Sequence, residues 1–222
     1  MIKAAIFDLD GTLSDTINTI AYYGNLALNT FGFESIPTET YKKLVGNGRD
    51  LLIHRMLDYH NADTEENYKN VGEKYDFEYE SNVLYLTKPF SGTPELINSL
   101  KKDGIKCAVL SNKPDNVTGP IVAQLFGEGV LDLCAGAKKD IPIKPAPDGA
   151  LEIADKFGVT PDECIFIGDT YVDITTGKNA NMKTIGVLWG FRDEEELKNA
   201  GADFIVSKVE DIYSIISELN NK

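Results

Sequence analysis

Two aspartates, Asp8 and Asp10, follow directly on an apolar run in the stretch AAIFDLDGTLSDT, residues 4–16. The apolar run predicts a buried strand, and side chains two residues apart on an extended strand share a face. Unpaired carboxylates are costly to bury, so this pair requires either a cation or a chemical task at the end of the strand.

Polar side chains of complementary types follow other apolar runs of the chain. They are Ser111 and Asn112 in AVLSNK, Lys144 in IPIKPAP, and Asp169 and Asp173 in IFIGDTYVD. Taken singly, each has an ordinary structural explanation as a turn, a helix cap or a solvated lysine. In a parallel sheet, however, ligands bind beyond the carboxyl ends of the strands, so we predict that these groups meet at one edge.

The chemistry that fits this set of groups is phosphoryl transfer through an aspartyl-phosphate. Oxygen ligands without histidine or cysteine select a hard ion such as Mg²⁺, which Asp8 and Asp169 would bind. One acid of the first pair would stay ionised as a nucleophile, while Asp10 would protonate the leaving oxygen and then activate water. Ser111, nearby backbone amides and Lys144 would hold the phosphoryl oxygens.

The elements that must position these groups can be predicted from periodicity. Apolar runs alternate with helical patterns from about residue 90 onward, which predicts an α/β fold with a doubly wound, Rossmann-like parallel sheet. Helices are predicted in TPELINSL, in PAPDGALEIADKFG ending at Gly158, and in DEEELKNAG ending at Gly201. The predicted strands are Lys3–Asp8, Ile105–Leu110, Leu131–Ala135, Cys164–Gly168, Thr184–Leu188 and Asp203–Val206.

The stretch after the first strand has a different character. It contains apolar positions at helical spacing, with breaks at Gly32–Pro37 and Gly46–Gly48. We predict a small α-helical cap, residues 14–84, inserted into a phosphohydrolase core of residues 1–13 and 85–222. Short linkers near Leu13–Asp15 and Val83–Phe90 would tether this cap.

Composition limits the classes of partner. The 222-residue chain carries a formal net charge of −13, which argues against nucleic acid or an anionic membrane surface. The first residues lack the pattern of a secretion signal, and no apolar run is long enough to span a membrane. Cys107, Cys134 and Cys164 have no CxxC spacing and are predicted to be buried free thiols. We therefore expect a cytoplasmic protein, either a monomer or a homodimer.

The motifs DLDGT, SNK, KPAP and GDTYVD, in this order and spacing, resemble the four signature motifs of the haloacid dehalogenase superfamily of phosphohydrolases. The resemblance covers nearly the whole chain. It implies that Asp8 is the nucleophile, that Asp10 is the acid/base, and that Ser111 and Lys144 bind the phosphoryl group. It also implies Mg²⁺ as the cofactor, with these ligands: Asp8, Asp169, the main-chain carbonyl of Asp10 and, through water, Asp173.

The resemblance extends to a subgroup. The dehalogenating and phosphonate-cleaving branches lack an aspartate at the position of Asp10, so its presence implies hydrolysis of phosphate esters. The helical insertion resembles the small cap of the phosphoglycolate phosphatase and β-phosphoglucomutase group.

Within the predicted cap, LVGNGRDLL resembles a loop of phosphoglycolate phosphatases. Gly46 and Gly48 would allow a tight turn whose amides face an anion, and Arg49 would pair with a substrate carboxylate or second phosphate. Alternatively, Gly46 ends a helix and Arg49 is solvated. The predicted substrate-binding residues are Thr12, Gly46, Asn47, Gly48, Arg49 and Asn112.

The function predicted from the sequence is a Mg²⁺-dependent phosphatase for a small phosphorylated metabolite, with 2-phosphoglycolate as the expected substrate. A phosphosugar mutase similar to β-phosphoglucomutase, or a pyrophosphatase, would share the catalytic residues and differ in the cap. A phosphoaccepting receiver-type domain would combine similar groups, but receivers are shorter and carry no helical insertion. A catalytically idle binding protein on this fold is a further alternative, against which the intact acids at all four motifs weigh.

Overall fold

The computed structural model describes residues 1–139 and 141–221, and its centre is a six-stranded parallel sheet. In chain order the strands are β1 (Ala4–Phe7), β2 (Ser14–Asp15), β3 (Lys88–Pro89), β4 (Lys106–Pro114), β5 (Leu133–Ala137), β6 (Cys164–Gly168), β7 (Lys183–Val187) and β8 (Phe204–Val206). The sheet has the order β5–β4–β1–β6–β7–β8, and every neighbouring pair in it is parallel. The doubly wound α/β prediction is confirmed, and all six predicted strands overlap observed ones.

Ten helices connect and cover the strands in the described part of the chain. They are α1 (Ile17–Thr30), α2 (Thr38–Leu44), α3 (Arg49–Tyr59), α4 (Glu65–Ser81), α5 (Thr93–Lys102), α6 (Asp115–Phe126), α7 (Asp148–Phe157), α8 (Tyr171–Asn179), α9 (Glu194–Asn199) and α10 (Val209–Asn220), with a 3₁₀ turn at Pro161–Glu163. As predicted, α5 has a proline in its first turn and α7 ends at Gly158, which has a left-handed φ of 68°. Among the helices described, none is long and apolar enough to cross a membrane.

The central strand explains where the site lies. All four residues of β1 are buried, since β4 and β6 flank the strand and helices cover both faces of the sheet. In the register of the sheet, Phe7 lies beside Val109 of β4 and Ile167 of β6. Strand β1 ends at Phe7 and β6 at Gly168, but β4 continues to Pro114, so Ser111 and Asn112 lie within this strand and do not follow it as predicted. The polar residues after β1 and β6 and in the last part of β4 converge on one edge of the sheet.

Helices α1 to α4, called the helical segment below, lie between the two shortest strands. In β2 and β3, Ser14 pairs with Pro89 and Asp15 with Lys88 in an antiparallel ribbon. The two predicted linkers are thus hydrogen-bonded to each other, a pairing that the sequence did not indicate. The boundaries of the cap at residues 14 and 84 remain a prediction.

The three cysteines are free, but they differ in exposure. Cys107 in β4 and Cys164 in β6 are buried, and burial raises the pKa of the Cys107 thiol to about 12. Cys134 is exposed, so the prediction that it is buried is wrong. The reason is that β5 is an edge strand, and helices cover its surroundings incompletely.

Candidate active site

Three buried aspartates form a cluster at the carboxyl edge of the sheet. Asp8, Asp169 and Asp173 each offer a carboxylate oxygen, and these oxygens lie within 4.8 Å of one another. Asp8 follows β1, Asp169 follows β6, and Asp173 lies in the first turn of α8. The amide and hydroxyl of Thr170 hold Asp173 by donating to its Oδ2 at 3.1 and 2.8 Å.

Lys144 is the cation that the chain itself supplies to this cluster. Its Nζ donates to Oδ1 of Asp8 at 2.8 Å and to Oδ1 of Asp173 at 2.7 Å. Burial disfavours the ammonium, but the two carboxylates outweigh it and raise the pKa of Lys144 above its ordinary value. Asn112 fixes the lysine backbone, because its amide group accepts from the Lys144 N–H and donates to the Lys144 carbonyl, both at 2.9 Å.

One lysine does not neutralise three buried carboxylates. Burial, together with the charges of Asp173 and Asp10, raises the pKa of Asp8 to about 7 despite Lys144. Burial and the charges of Asp173 and Asp8 raise the pKa of Asp169 well above its ordinary value. An additional cation would keep these acids ionised, and an all-oxygen donor set fits Mg²⁺.

The surroundings of Asp169 are built to hold its carboxylate in one orientation. Its Oδ1 accepts from the Thr12 hydroxyl at 3.0 Å, and its Oδ2 accepts from the Phe191 amide at 2.7 Å. Gly11 and Gly190 pack so closely that a Cβ would lie 2.4 Å from Asp169 Oδ2 and 2.3 Å from its Cβ, respectively. The structure therefore places Thr12, which we predicted to bind substrate, against this acid.

Asp10 faces a cavity between the sheet edge and the helical segment. The cavity has a volume of about 90 Å³, and Asp8, Ser111 and Lys144 also line it. Within the described chain, no hydrogen-bond donor reaches the buried Oδ1 of Asp10. An orphaned carboxylate oxygen of this kind is available to a ligand proton.

The loop before α3 supplies part of the opposite wall. Gly46, Gly48 and Arg49 line the cavity, and the Gly46 carbonyl accepts from the Asn112 side chain at 3.1 Å. Asn47 instead donates to the Tyr171 hydroxyl at 3.0 Å, at the boundary between the helical segment and the sheet. Eight of the twelve predicted site residues thus line this cavity. The other four do not: Asp169 and Asp173 belong to the acid cluster with Asp8, Thr12 contacts Asp169, and Asn47 contacts Tyr171.

The guanidinium of Arg49 is engaged within the helical segment. It donates to both carboxylate oxygens of Asp76, at 2.9 and 2.7 Å, and to Asp50 at 3.0 Å. Although burial opposes it, these partners raise the pKa of Arg49. Its predicted contact with substrate remains a prediction.

Sequence analysis did not single out three further residues of the cavity wall. They are Lys113 at the end of β4, and Tyr75 and Tyr79 in α4. A signal was present in each case, since Lys113 belongs to the SNK motif and the two tyrosines are four residues apart on one helix face.

Arg192 joins the sheet to the helical segment. Its guanidinium donates to the main-chain carbonyls of Lys42 and Val45 at the end of α2, the latter at 3.0 Å. These carbonyls have no partners within the helix, so the arginine acts as a C-terminal cap from another part of the chain. The neighbouring residue, Phe191, holds Asp169. One loop therefore contacts both the acid cluster and the helical segment.

Comparison with known proteins decides the family. The sequence profile of the haloacid dehalogenase-like hydrolases matches residues 5–187. This chain belongs to that family. It is 31% identical to a phosphoglycolate phosphatase of Aquifex aeolicus over 215 residues, covering 97% of both proteins.

Solved structures agree with the family assignment. A predicted phosphoglycolate phosphatase from Haemophilus somnus 129pt superposes with a TM-score of 0.91 at 27% identity, covering 97% of this chain and 98% of that one. β-Phosphoglucomutase from Clostridium difficile superposes with a TM-score of 0.79 at 27% identity, covering 100% of both. With such relatives, this haloacid dehalogenase-like hydrolase is a phosphatase.

Arg192→Met should weaken the attachment of the helical segment in this phosphatase. Hydrogen bonds from a charged donor contribute about 1.5–3 kcal/mol each, and a loss of about 1.4 kcal/mol corresponds to a tenfold change in an equilibrium constant. We expect the KM for p-nitrophenyl phosphate to rise roughly tenfold, and the amides of α2 to exchange faster with solvent hydrogen.

Arg55→Met is the matched control, because Arg55 donates to the Leu44 carbonyl at 2.8 Å from inside the helical segment. It should speed exchange in α2 with a smaller effect on KM. Equal changes of KM in the two variants would contradict a role for Arg192 in docking.

Proposed function

We propose that this protein hydrolyses 2-phosphoglycolate through an aspartyl-phosphate on Asp8, with Mg²⁺ as cofactor. The observation that carries the proposal is Asp10, which lines the same cavity as the nucleophile and whose Oδ1 has no hydrogen-bond donor within the described chain. The names of the relatives support the choice of substrate. The cavity volume of about 90 Å³ also favours a compact metabolite. For comparison, one water molecule requires about 10–15 Å³ of such volume.

In the first step a carboxylate oxygen of Asp8 attacks the phosphorus atom. The bond from phosphorus to the ester oxygen breaks, and its electron pair stays on the leaving oxygen, which takes the proton of Asp10. Ser111 and Lys144 bind the phosphoryl oxygens and hold the group in line with Asp8.

In the second step water attacks the phosphorus atom of the aspartyl-phosphate. Asp10, now ionised, takes a proton from that water. The bond between phosphorus and the Asp8 oxygen breaks, and the carboxylate and inorganic phosphate are released. Both steps thus use the same residue for proton transfer in opposite directions.

Mg²⁺ would be held by Asp8, Asp169 and the main chain of Asp10, with Asp173 in support. The donors fit this ion because they are oxygens, and because the acids exceed the charge that Lys144 can balance. When bound, the ion supplies positive charge that lowers the repulsion between the acids and the phosphoryl group.

We further propose that the helical segment acts as a cap that opens to admit substrate and closes to exclude water. Contacts that would break on opening support this role, among them those from Asn112 to Gly46 and from Arg192 to Val45. The free thiols of the chain support a reducing, cytoplasmic location. A monomer or homodimer is the proposed form.

Adding Mg²⁺ should raise the melting temperature of the metal-free protein. A ligand at 100 times its dissociation constant stabilises by about 2.7 kcal/mol, which corresponds to roughly 5–10 °C for a chain of this size. Differential scanning calorimetry should record this shift for the wild type and for Asp155→Asn, which changes an exposed acid of α7. The shift should vanish in Asp169→Asn. An unchanged shift in Asp169→Asn would contradict this placement of the ion.

The substrate proposal is tested by phosphate release from a panel of phosphorylated compounds, with Mg²⁺ present and then chelated. The panel contains 2-phosphoglycolate, β-glucose 1-phosphate, pyrophosphate, sugar phosphates and p-nitrophenyl phosphate. We expect a Mg²⁺-dependent preference for 2-phosphoglycolate. Isomerisation of β-glucose 1-phosphate would favour a mutase, and a preference for pyrophosphate would favour a pyrophosphatase. No phosphate release from any compound of the panel would favour a binding protein.

A further inference from the structure

Lys113 is a buried cation in the cavity wall that the proposed reaction does not use. It lies two residues after Ser111 near the end of β4, and its side chain is 8% exposed. Its Nζ lies 2.9 Å from the hydroxyl oxygen of Tyr79 and 3.4 Å from Oδ2 of Asp10. Because a buried charge is costly without strong partners, this lysine requires an explanation.

The known partners of Lys113 leave part of its hydrogen-bonding capacity for a ligand. An ammonium group has three N–H donors, and the neutral Tyr79 hydroxyl accepts one of them. The contact with Asp10, at 3.4 Å, is longer than the roughly 2.7–2.9 Å of a good charge-assisted hydrogen bond. Since the Tyr79 oxygen accepts from the lysine, its own proton can be donated to another acceptor. Lysine and tyrosine together can therefore offer two donors to the cavity.

The other cations of the cavity wall, among the residues that the structure describes, have stronger anionic partners. Lys144 donates to two carboxylates at 2.8 and 2.7 Å. Arg49 donates twice to Asp76, at 2.9 and 2.7 Å, and once to Asp50 at 3.0 Å. Lys113 is thus the described cavity cation that a substrate anion can approach with the least competition.

The position of Lys113 indicates which part of a substrate it would contact. Asp10 must lie within hydrogen-bond distance of the leaving oxygen in order to protonate it. Because Lys113 lies beside the same carboxylate, its ammonium group is well placed to bind an anionic group close to that oxygen. In 2-phosphoglycolate the carbon attached to the ester oxygen carries a carboxylate. A hexose 1-phosphate has neutral ring atoms there.

We propose that Lys113, together with the hydroxyl of Tyr79, binds the carboxylate of the leaving group and so selects phosphate esters that carry an anion next to the ester oxygen. The inference rests on the phosphatase function proposed above. The proposal also gives the helical segment a part in selection, because Tyr79 of α4 contacts Lys113 of the sheet at 2.9 Å. Arg49 then supports the cavity wall through its pair with Asp76.

The test compares 2-phosphoglycolate with 2-hydroxyethyl phosphate, which has the same length and a neutral end. The kcat/KM ratio of the two esters is measured for the wild type, Lys113→Met, Lys113→Arg and Arg49→Met. We expect the wild type to prefer 2-phosphoglycolate, and Lys113→Met to lower this preference about 10- to 150-fold, as for a lost bond to a charged group. The loss should lie mainly in KM, and Lys113→Arg should recover part of it.

Tyr79→Phe is the milder variant, since it keeps the ring and removes one neutral donor. It should lower the preference roughly 2- to 10-fold. This variant keeps the inference testable if Lys113→Met folds poorly, which its melting temperature would show.

The outcomes separate the inference from the function on which it rests. If the wild type does not hydrolyse 2-phosphoglycolate, the proposed function and this inference both fail. If the wild type does so but Lys113→Met loses activity equally on both esters, the lysine acts through Asp10 and the inference alone fails. A preference that falls in Arg49→Met but not in Lys113→Met also overturns it, because the carboxylate would then bind Arg49.

Discussion

Replacing Asp8 with asparagine is expected to lower kcat/KM for 2-phosphoglycolate by at least about 10⁴-fold. An amide cannot form the aspartyl-phosphate, and removal of a nucleophile from an active site costs on the order of this factor or more. The substitution should leave the fold intact, because an asparagine carbonyl oxygen can still accept from Lys144, as Oδ1 of Asp8 does at 2.8 Å. The measurement is the initial rate of phosphate release at substrate concentrations well below KM, which gives kcat/KM directly.

Asp155→Asn is the matched control for Asp8→Asn, because it makes the same chemical change on an exposed face of α7. Its activity should match that of the wild type. The account would be contradicted if Asp8→Asn retained activity within tenfold of this control, since another group would then attack the phosphorus atom.

Replacing Asp10 with asparagine is expected to separate the two steps of the reaction. Steady-state turnover of 2-phosphoglycolate should fall by about 10²–10⁴-fold, the usual contribution of a general acid–base group. An activated donor such as p-nitrophenyl phosphate has a leaving group that needs little protonation, so it should still phosphorylate Asp8. Hydrolysis of that phospho-enzyme requires a base, which Asp10→Asn lacks.

Rapid-quench kinetics with p-nitrophenyl phosphate should therefore show a burst of p-nitrophenol in Asp10→Asn, followed by slow turnover. The burst should equal about one equivalent of enzyme. Asp8→Asn is the control and should show none. If both variants showed the same slow release without a burst, water would attack the substrate directly and the role assigned to Asp10 would be wrong.

The edge of the sheet on which the site lies could be predicted from the sequence. Asp8, Ser111 and Asp169 each follow an apolar run that forms a parallel strand, and parallel strands present their carboxyl ends on the same side. The helical segment could also be predicted, because helical periodicity and glycine-containing breaks are local signals. The positions of β1, β4 and β6 in the sheet then account for the level at which these residues meet.

The contacts of the helical segment could not be predicted in this way. The pairing of Arg49 with Asp76 depends on how α3 packs against α4, and periodicity does not specify that rotation. Likewise, Lys113 belongs to β4 and Tyr79 to α4, and their contact depends on how the helical segment packs against the sheet. The exposure of Cys134 depended on strand order, which the sequence does not reveal, because the apolar run of an edge strand can look like that of a central one.

The central claim is that Asp8 carries the phosphoryl group, and mass spectrometry of a trapped enzyme tests it most directly. Asp10→Asn would be mixed with p-nitrophenyl phosphate and Mg²⁺, quenched in acid, and digested for peptide mapping. The account predicts one added phosphoryl group on the peptide containing Asp8, sensitive to hydroxylamine and absent in the double variant Asp8→Asn/Asp10→Asn. A phosphoryl group on Ser111 instead, or none on any peptide while p-nitrophenol is released, would contradict it.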